Sequence, residues 1–422
     1  MRNIFDQYDQ QENRLTHALT CALDAEPKLL DNFVKWVTGK SSPAKRLAIV
    51  EQNLPGEESV DDADEAHRRG LPDAWIHDGE QWSVIVESKI ESRLNADQLE
   101  RHRRTAYRRG FLDCHVVAFV TERPKWNCPD ATVLRWTDLY CWLLQQHGSE
   151  WSRRVAQYME VLEAKLVGEG YLKSGTLTVF AGVPFDKDTP YNYFEAKRVL
   201  RLAMDKLRVR TDLRKGLRID STGSGRPAIT GTGSTSVWDF VRLSSAKDAT
   251  QFTDYPHFTL SFDRGQVLAP VIIPNAMKSE FRANLLALGP ERFEGVVSEC
   301  LREFRTSLGK VAGATPWMEV VQRRWNRGLR AEPVIDALLR FDPRTAALRD
   351  GKNVGSVKQQ REWLRTAYEV IAKRRSNIQL AFGATFPYDR CPIVRTPEIL
   401  DHIANAWLSC KPLLDAIMSS HN

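Results

Sequence analysis

The chain has 422 residues, 42% hydrophobic and 27% charged, with a formal charge of +6. That length exceeds one ordinary compact core, so two or three domains are expected. No run approaches the roughly 18 consecutive apolar residues that cross a bilayer, which sets a membrane-spanning role aside, and the modest positive charge permits nucleic-acid binding without demanding it.

The opening MRNIFDQYDQQENR lacks the apolar core of a secretory signal. Seven scattered cysteines without a Cys-x-x-Cys pair argue against a disulfide framework or structural zinc, so a reducing cytoplasm is expected. Residues 12–38 carry apolar side chains at helical spacing, interrupted at Pro27, and read as one or two helices. Residues 47–54 read as a first strand, and the acidic GEESVDDADEAH after it as a solvated loop.

The next stretch, GLPDAWIHDGEQWSVIVESKIESRLNADQLERH, carries the chemistry. Pro72-Asp73 leads into a strand, Asp78-Gly79 marks a turn, and a second apolar run delivers Glu87-Ser88-Lys89. Successive strand residues face opposite sides of a sheet, so Glu87 and Lys89 share a face. Asp73 joins them only if the connection has an odd number of residues or a bulge lies near Pro72. A five-residue loop pairs Asp73 with Glu87, a three-residue loop sets it diagonal to Glu87, and an even loop separates the carboxylates. Converging carboxylates suit a hard divalent cation, and a neighbouring lysine can orient water or offset charge on a phosphate.

Asn95 can cap a helix to about Arg109 that carries Gln98 and His102 at i and i+4, hence on one face. Its Arg101, Arg103, Arg104 and Arg108 could neutralise phosphates or simply meet water. CHVVAFVT reads as a central strand, and VLRWTDLYCWLL as a short strand with a helix from Thr137. The first domain is expected to span 1–166, with a Gly-rich linker over 167–176.

Pro72-Asp73 with Glu87-Ser88-Lys89 resembles the signature of the PD-(D/E)xK nuclease superfamily. Glu12 matches the acidic residue that many members carry on their first helix, and Gln98 the glutamine of the helix after the catalytic strand. His102 departs from the tyrosine often found there. The resemblance covers roughly residues 1–165 and implies a restriction-endonuclease-like α/β domain, a mixed sheet flanked by helices. It implies Mg²⁺ or Mn²⁺ held by Asp73, Glu87 and the Ser88 carbonyl with help from Glu12. Lys89 would position the hydrolytic water, and Gln98 would orient the lysine or a phosphate. The implied activity is phosphodiester hydrolysis, on DNA before RNA, as in restriction, repair and phage-defence nucleases. The alternative is a non-catalytic nucleic-acid-binding or protein-interaction module on the same scaffold.

Residues 177–422 read as a mixed α/β-to-helical region for sensing, targeting or homo-oligomer assembly. A strand is expected over 177–180, a basic helix over 193–207, and strands over 237–243, 257–262 and 267–273. DSTGSGRPAITGTGSTS lacks the Lys-Ser/Thr of a phosphate-binding loop and reads as a flexible loop. Beyond Pro274 the pattern reads as mainly helical, including VVQRRWNRGLR, with NIQLAFGATF returning to a sheet. Trp317, Trp325, Trp363 and Trp407 could stack bases but are read as core.

Overall fold

The structure is a computed structural model, and it describes residues 10–41, 43, 46–52, 71–126, 129–222, 234–246, 249, 251–274, 277–324, 334–345, 361–373 and 378–418. The acidic GEESVDDADEAH, most of the Gly/Ser/Thr-rich loop, Trp325 and the basic run at 374–375 lie outside them. The chain divides into two compact units, Met1–Val179 and Phe180–Asn422. Among the described residues no helix is long and apolar enough to cross a membrane.

Unit 1 is mixed α/β. Its elements are α1 (Gln11–Ala25), α2 (Pro27–Thr38), β1 (Ala48–Glu51), β2 (Ala74–His77), β3 (Trp82–Ser88), α3 (Ala96–Arg108), β4 (Asp113–Val120), β5 (Ala131–Arg135), α4 (Trp136–Gln145) and α5 (Glu150–Gly168). Pro27 opens α2, where its missing N–H costs no hydrogen bond. The Asn95 side chain caps α3 by accepting from the Asp97 N–H at 2.9 Å. The five strands are ordered β1-β2-β3-β4-β5. The first three are antiparallel and β3-β4-β5 parallel, giving a mixed sheet with helices on both faces. α3 joins β3 to β4 as the crossover that a parallel pair requires.

Strand alternation sorts the side chains of this sheet. Ala74, Ile76, Val84, Val86, Val117 and Phe119 pack with α1, α2, α4 and α5 in one core. On the opposite face Trp75 and Ile85 meet Ala106 and Phe111, while Val116 and Ala118 meet Leu99 of α3.

The helix before the expected linker enters it, and buried residues follow directly after it. α5 runs through Gly168, Leu177 is fully buried, and the buried Glu163 carboxylate accepts from the Leu177 N–H (2.8 Å), the Thr178 N–H (3.3 Å) and the Thr178 hydroxyl. Residues 177–180 form no strand, because these side-chain bonds take up the backbone donors that a ladder would use.

Unit 2 contains a six-stranded antiparallel sheet ordered β10-β9-β11-β8-β7-β6. The strands are β6 (Ser236–Val241), β7 (His257–Asp263), β8 (Gln266–Pro274), β9 (Thr315–Arg324), β10 (Val334–Phe341) and β11 (Ile378–Pro387). Its helices include α6 (Tyr193–Arg208), α7 (Thr211–Leu217), α8 (Ser279–Leu308, broken at Gly289), α9 (Arg361–Lys373), α10 (Ile399–Ser409) and α11 (Lys411–Met418). The helical reading of VVQRRWNRGLR is corrected, since its start lies in β9. Val320 and Val321 are both buried there, so the strand lacks the alternation that separates it from a helix. Trp317 and Trp407 are buried and Trp363 is 40% exposed.

Candidate active site

The site is built by the β2-β3 hairpin. His77 pairs with Ser83, so residues 78–82 make a five-residue connection, and Ala74 pairs with Val86. One step further along the register sets Asp73 opposite Glu87, as odd parity requires. The turn is held by Asp78, whose Oδ1 accepts from the N–H groups of Glu80 (2.8 Å), Gln81 (3.1 Å) and Trp82 (3.1 Å).

Glu87 is the last residue but one of β3 and is 1% exposed. Its Oε1 receives the Gln98 amide at 2.6 Å and the Lys89 ammonium at 2.5 Å. Gln98 therefore steadies Glu87 rather than Lys89. His102 Nε2, one turn along α3, lies 3.2 Å from Glu87 Oε2 but out of line for a hydrogen bond, and both atoms are buried without a hydrogen-bond partner. The i+4 spacing from Gln98 brings His102 to the same carboxylate.

Lys89 is fixed through its backbone. Its N–H donates to the Phe119 carbonyl at 2.8 Å, and its carbonyl accepts from the Trp136 indole at 3.1 Å. Trp136 is fully buried and stacks on Phe119 with ring centroids 5.3 Å apart. The apolar core beneath the sheet thus sets where the lysine leaves the strand.

Asp73 Oδ2 accepts from the Ser88 N–H at 2.7 Å. In an extended strand a residue's own N–H and C=O point to the same edge, so the Ser88 carbonyl is directed toward the Asp73 side. The Ser88 hydroxyl turns to the other face and meets the Thr16 hydroxyl of α1 at 2.6 Å, a contact that no sequence signal announced. Glu12, one turn earlier, accepts from the Ile90 N–H and the Ser92 hydroxyl, each at 3.3 Å. It caps the turn after β3 and makes no hydrogen bond to Asp73 or Lys89.

Burial and the Glu87 charge raise the Asp73 carboxyl from 3.8 to about 7, although the Ser88 N–H and Lys89 pull it down. Burial also acts to raise Glu87, but His102 and Lys89 outweigh it and hold that carboxyl below its usual range. Lys89 stays protonated: burial lowers it, and the Glu87 and Asp73 charges more than restore it. One carboxylate is thus settled and the other strained, a mismatch that a divalent cation between them would relieve. The donors fit a hard cation. They are carboxylate and carbonyl oxygens, and Glu87 Oε2 is a buried acceptor without a hydrogen bond.

The arginines of α3 do not form one stripe. At 100° per residue Arg101, Arg104 and Arg108 lie on one flank and Arg103 on the other. Glu100 engages two of them, accepting from Arg103 at 2.7 Å and Arg104 at 2.9 Å. Arg103 also reaches Asp130 at 3.6 Å and stacks over Tyr107.

Comparison of the chain with protein-family models, with curated proteins and with solved structures gave no match in any of the three.

Proposed function

We propose that unit 1 is a metal-dependent nuclease domain of the restriction-endonuclease-like type, hydrolysing phosphodiester bonds of nucleic acid, with DNA the favoured substrate. The observation that carries this reading is the convergence of two carboxylates and a lysine at the end of the hairpin: Asp73 accepts from the Ser88 N–H, and Lys89 is bonded to Glu87. These side chains gather at the carboxyl end of β3, the end of a parallel strand where α/β sheets hold their ligands.

Asp73, Glu87 and the Ser88 carbonyl would hold Mg²⁺ or Mn²⁺, which when bound supplies Lewis-acid activation of the scissile phosphate. Glu12 keeps the turn at Ile90 in place and adds negative charge near the pocket. The Lys89 ammonium positions the attacking water and offsets charge gathering on the phosphate oxygens. Gln98 fixes the rotamer of Glu87, and His102 supplies a buried polar edge beside its second oxygen. Arg101 and Arg108, sharing a flank of α3, would follow the substrate backbone.

The test is incubation of circular DNA, linear DNA and RNA with the full chain in Mg²⁺, in Mn²⁺ and in EDTA. Metal-dependent cutting lost in Lys89→Ala and Asp73→Ala is expected. Retarded migration on a gel without cutting would replace the enzyme with a binding module.

A further inference from the structure

On the opposite face of the sheet lies a cluster of side chains able to ligate a metal, of softer character. His17 and Cys21 sit at i and i+4 of α1, hence on one side of the helix. Glu51 ends the edge strand β1 in register with Ala74, and Ala74 in turn pairs with Val86. Both those residues pack against α1, so Glu51 faces that helix while Asp73, the next position along, faces α3. His17 Nδ1 lies 2.8 Å from Glu51 Oε2, and Cys21 Sγ lies 3.5 and 3.7 Å from the two imidazole nitrogens. One ligand atom from each of the three residues falls within 4.8 Å of the others.

We propose that His17, Cys21 and Glu51 bind a zinc ion that clamps α1 to the edge of the sheet. Metal-ligand bonds of ~2.0 Å to nitrogen and ~2.3 Å to sulfur at a tetrahedral centre hold N and S about 3.5 Å apart, and Cys21 Sγ lies 3.7 Å from His17 Nδ1, the nitrogen that faces Glu51. The His17 and Glu51 atoms need to open only a few tenths of an ångström, to about 3.3 Å, to admit the ion. A thiolate, a carboxylate and a neutral imidazole cancel its double charge. The Thr20 hydroxyl donates to Glu51 Oε1, steering Oε2 toward the other two ligands, an outer-sphere arrangement that metal carboxylates commonly have. His17 is 13% and Glu51 21% exposed, so solvent reaches the cluster. A Cys-pair signature does not announce such a mixed set, because only α1 packing on β1 brings residues 17 and 51 together.

The clamp bears on the site indirectly. Glu12 and Thr16, which hold the turn at Ile90 and the Ser88 hydroxyl, belong to the same helix. The ligand set separates the two centres: sulfur and imidazole select zinc, whereas oxygen alone selects magnesium.

The experiment strips the full chain with chelator and titrates it with Co²⁺, an optical stand-in for zinc, and then with Zn²⁺ while following the thermal midpoint. One equivalent should produce a thiolate-to-cobalt charge-transfer band and tetrahedral visible bands, both displaced by zinc, and zinc should raise the midpoint. Cys21→Ser should abolish the charge-transfer band, Glu51→Gln should weaken binding by about 100-fold or more, at least the upper end of what loss of an outer-sphere partner costs, and Glu87→Gln should leave both readouts unchanged. A stripped wild-type chain that shows no thiolate band needs no variant to overturn the proposal. A band persisting in Cys21→Ser, a band lost equally in Glu87→Gln, or a midpoint that zinc does not move overturns it as well. Cleavage plays no part in these readouts, so failure of the zinc site and failure of the nuclease reading are told apart.

Discussion

Replacing Asp73 by Asn should stabilise the metal-free protein while removing its activity. Asn keeps an oxygen to accept from the Ser88 N–H, now at 2.7 Å to Asp73, but brings no charge into the pocket. The folded state raises the Asp73 carboxyl from 3.8 to about 7, so it binds the proton more tightly than the unfolded chain does. Stability from this group is therefore fully present below about pH 4 and is lost as pH rises through about 7. At ~1.36 kcal/mol per pH unit the wild-type penalty is about 2 kcal/mol at pH 5 and about 4 kcal/mol at pH 8. Calorimetric scans of the full chain in EDTA at both pH values give the assay, read on the transition that moves with the substitution. Asp73→Asn should exceed wild type at pH 8 by ~2–4 kcal/mol and by less at pH 5, and millimolar Mg²⁺ should close the gap by stabilising wild type alone. A variant no more stable than wild type at pH 8, or a gap independent of pH, would refute the reasoning.

Lys89→Met should retain DNA binding in Ca²⁺ yet lower the single-turnover cleavage rate by about 10²–10⁴; a loss below tenfold would remove the lysine from the chemistry. Changing Arg101 and Arg108 together to Gln should flatten the logarithmic salt dependence of DNA binding by roughly two units. An unchanged slope would return these two arginines to a solvated helix face. Gly182 has φ +114°, and a Cβ there would sit 2.2 Å from the Arg395 carbonyl carbon, so Gly182→Ala should destabilise unit 2 by about 3 kcal/mol or more. A denaturation midpoint close to wild type would falsify that packing argument.

The hairpin was legible because its chemistry and its parity are local. Asp78-Gly79 marks the turn, alternation places Glu87 and Lys89 together, and only the loop length had to be learned from the fold. Asn95 likewise announced α3 to within a residue, since a side-chain cap acts over two positions. Contacts between distant segments left no such trace. Thr16 reaches Ser88 across 72 positions and Trp136 reaches Lys89 across 47, and each looks in isolation like an ordinary core residue. Helix spacing puts His102 beside Gln98 but does not name the carboxylate it faces, which only the fold supplies. In unit 2, β9 escaped because both its faces are covered and its basic end mimics an amphipathic helix. β10, paired to β9 at the sheet edge, escaped with it.

The pocket itself is tested most directly by counting its ions. In a Cys21→Ser background, Mn²⁺ titrated into the stripped chain and followed by electron paramagnetic resonance should fill a binding site that Mg²⁺ displaces. That site should vanish in both Asp73→Asn and Glu87→Gln. Unchanged Mn²⁺ binding in either variant would show that the two carboxylates do not share a cation, and the hydrolytic account would fail with them.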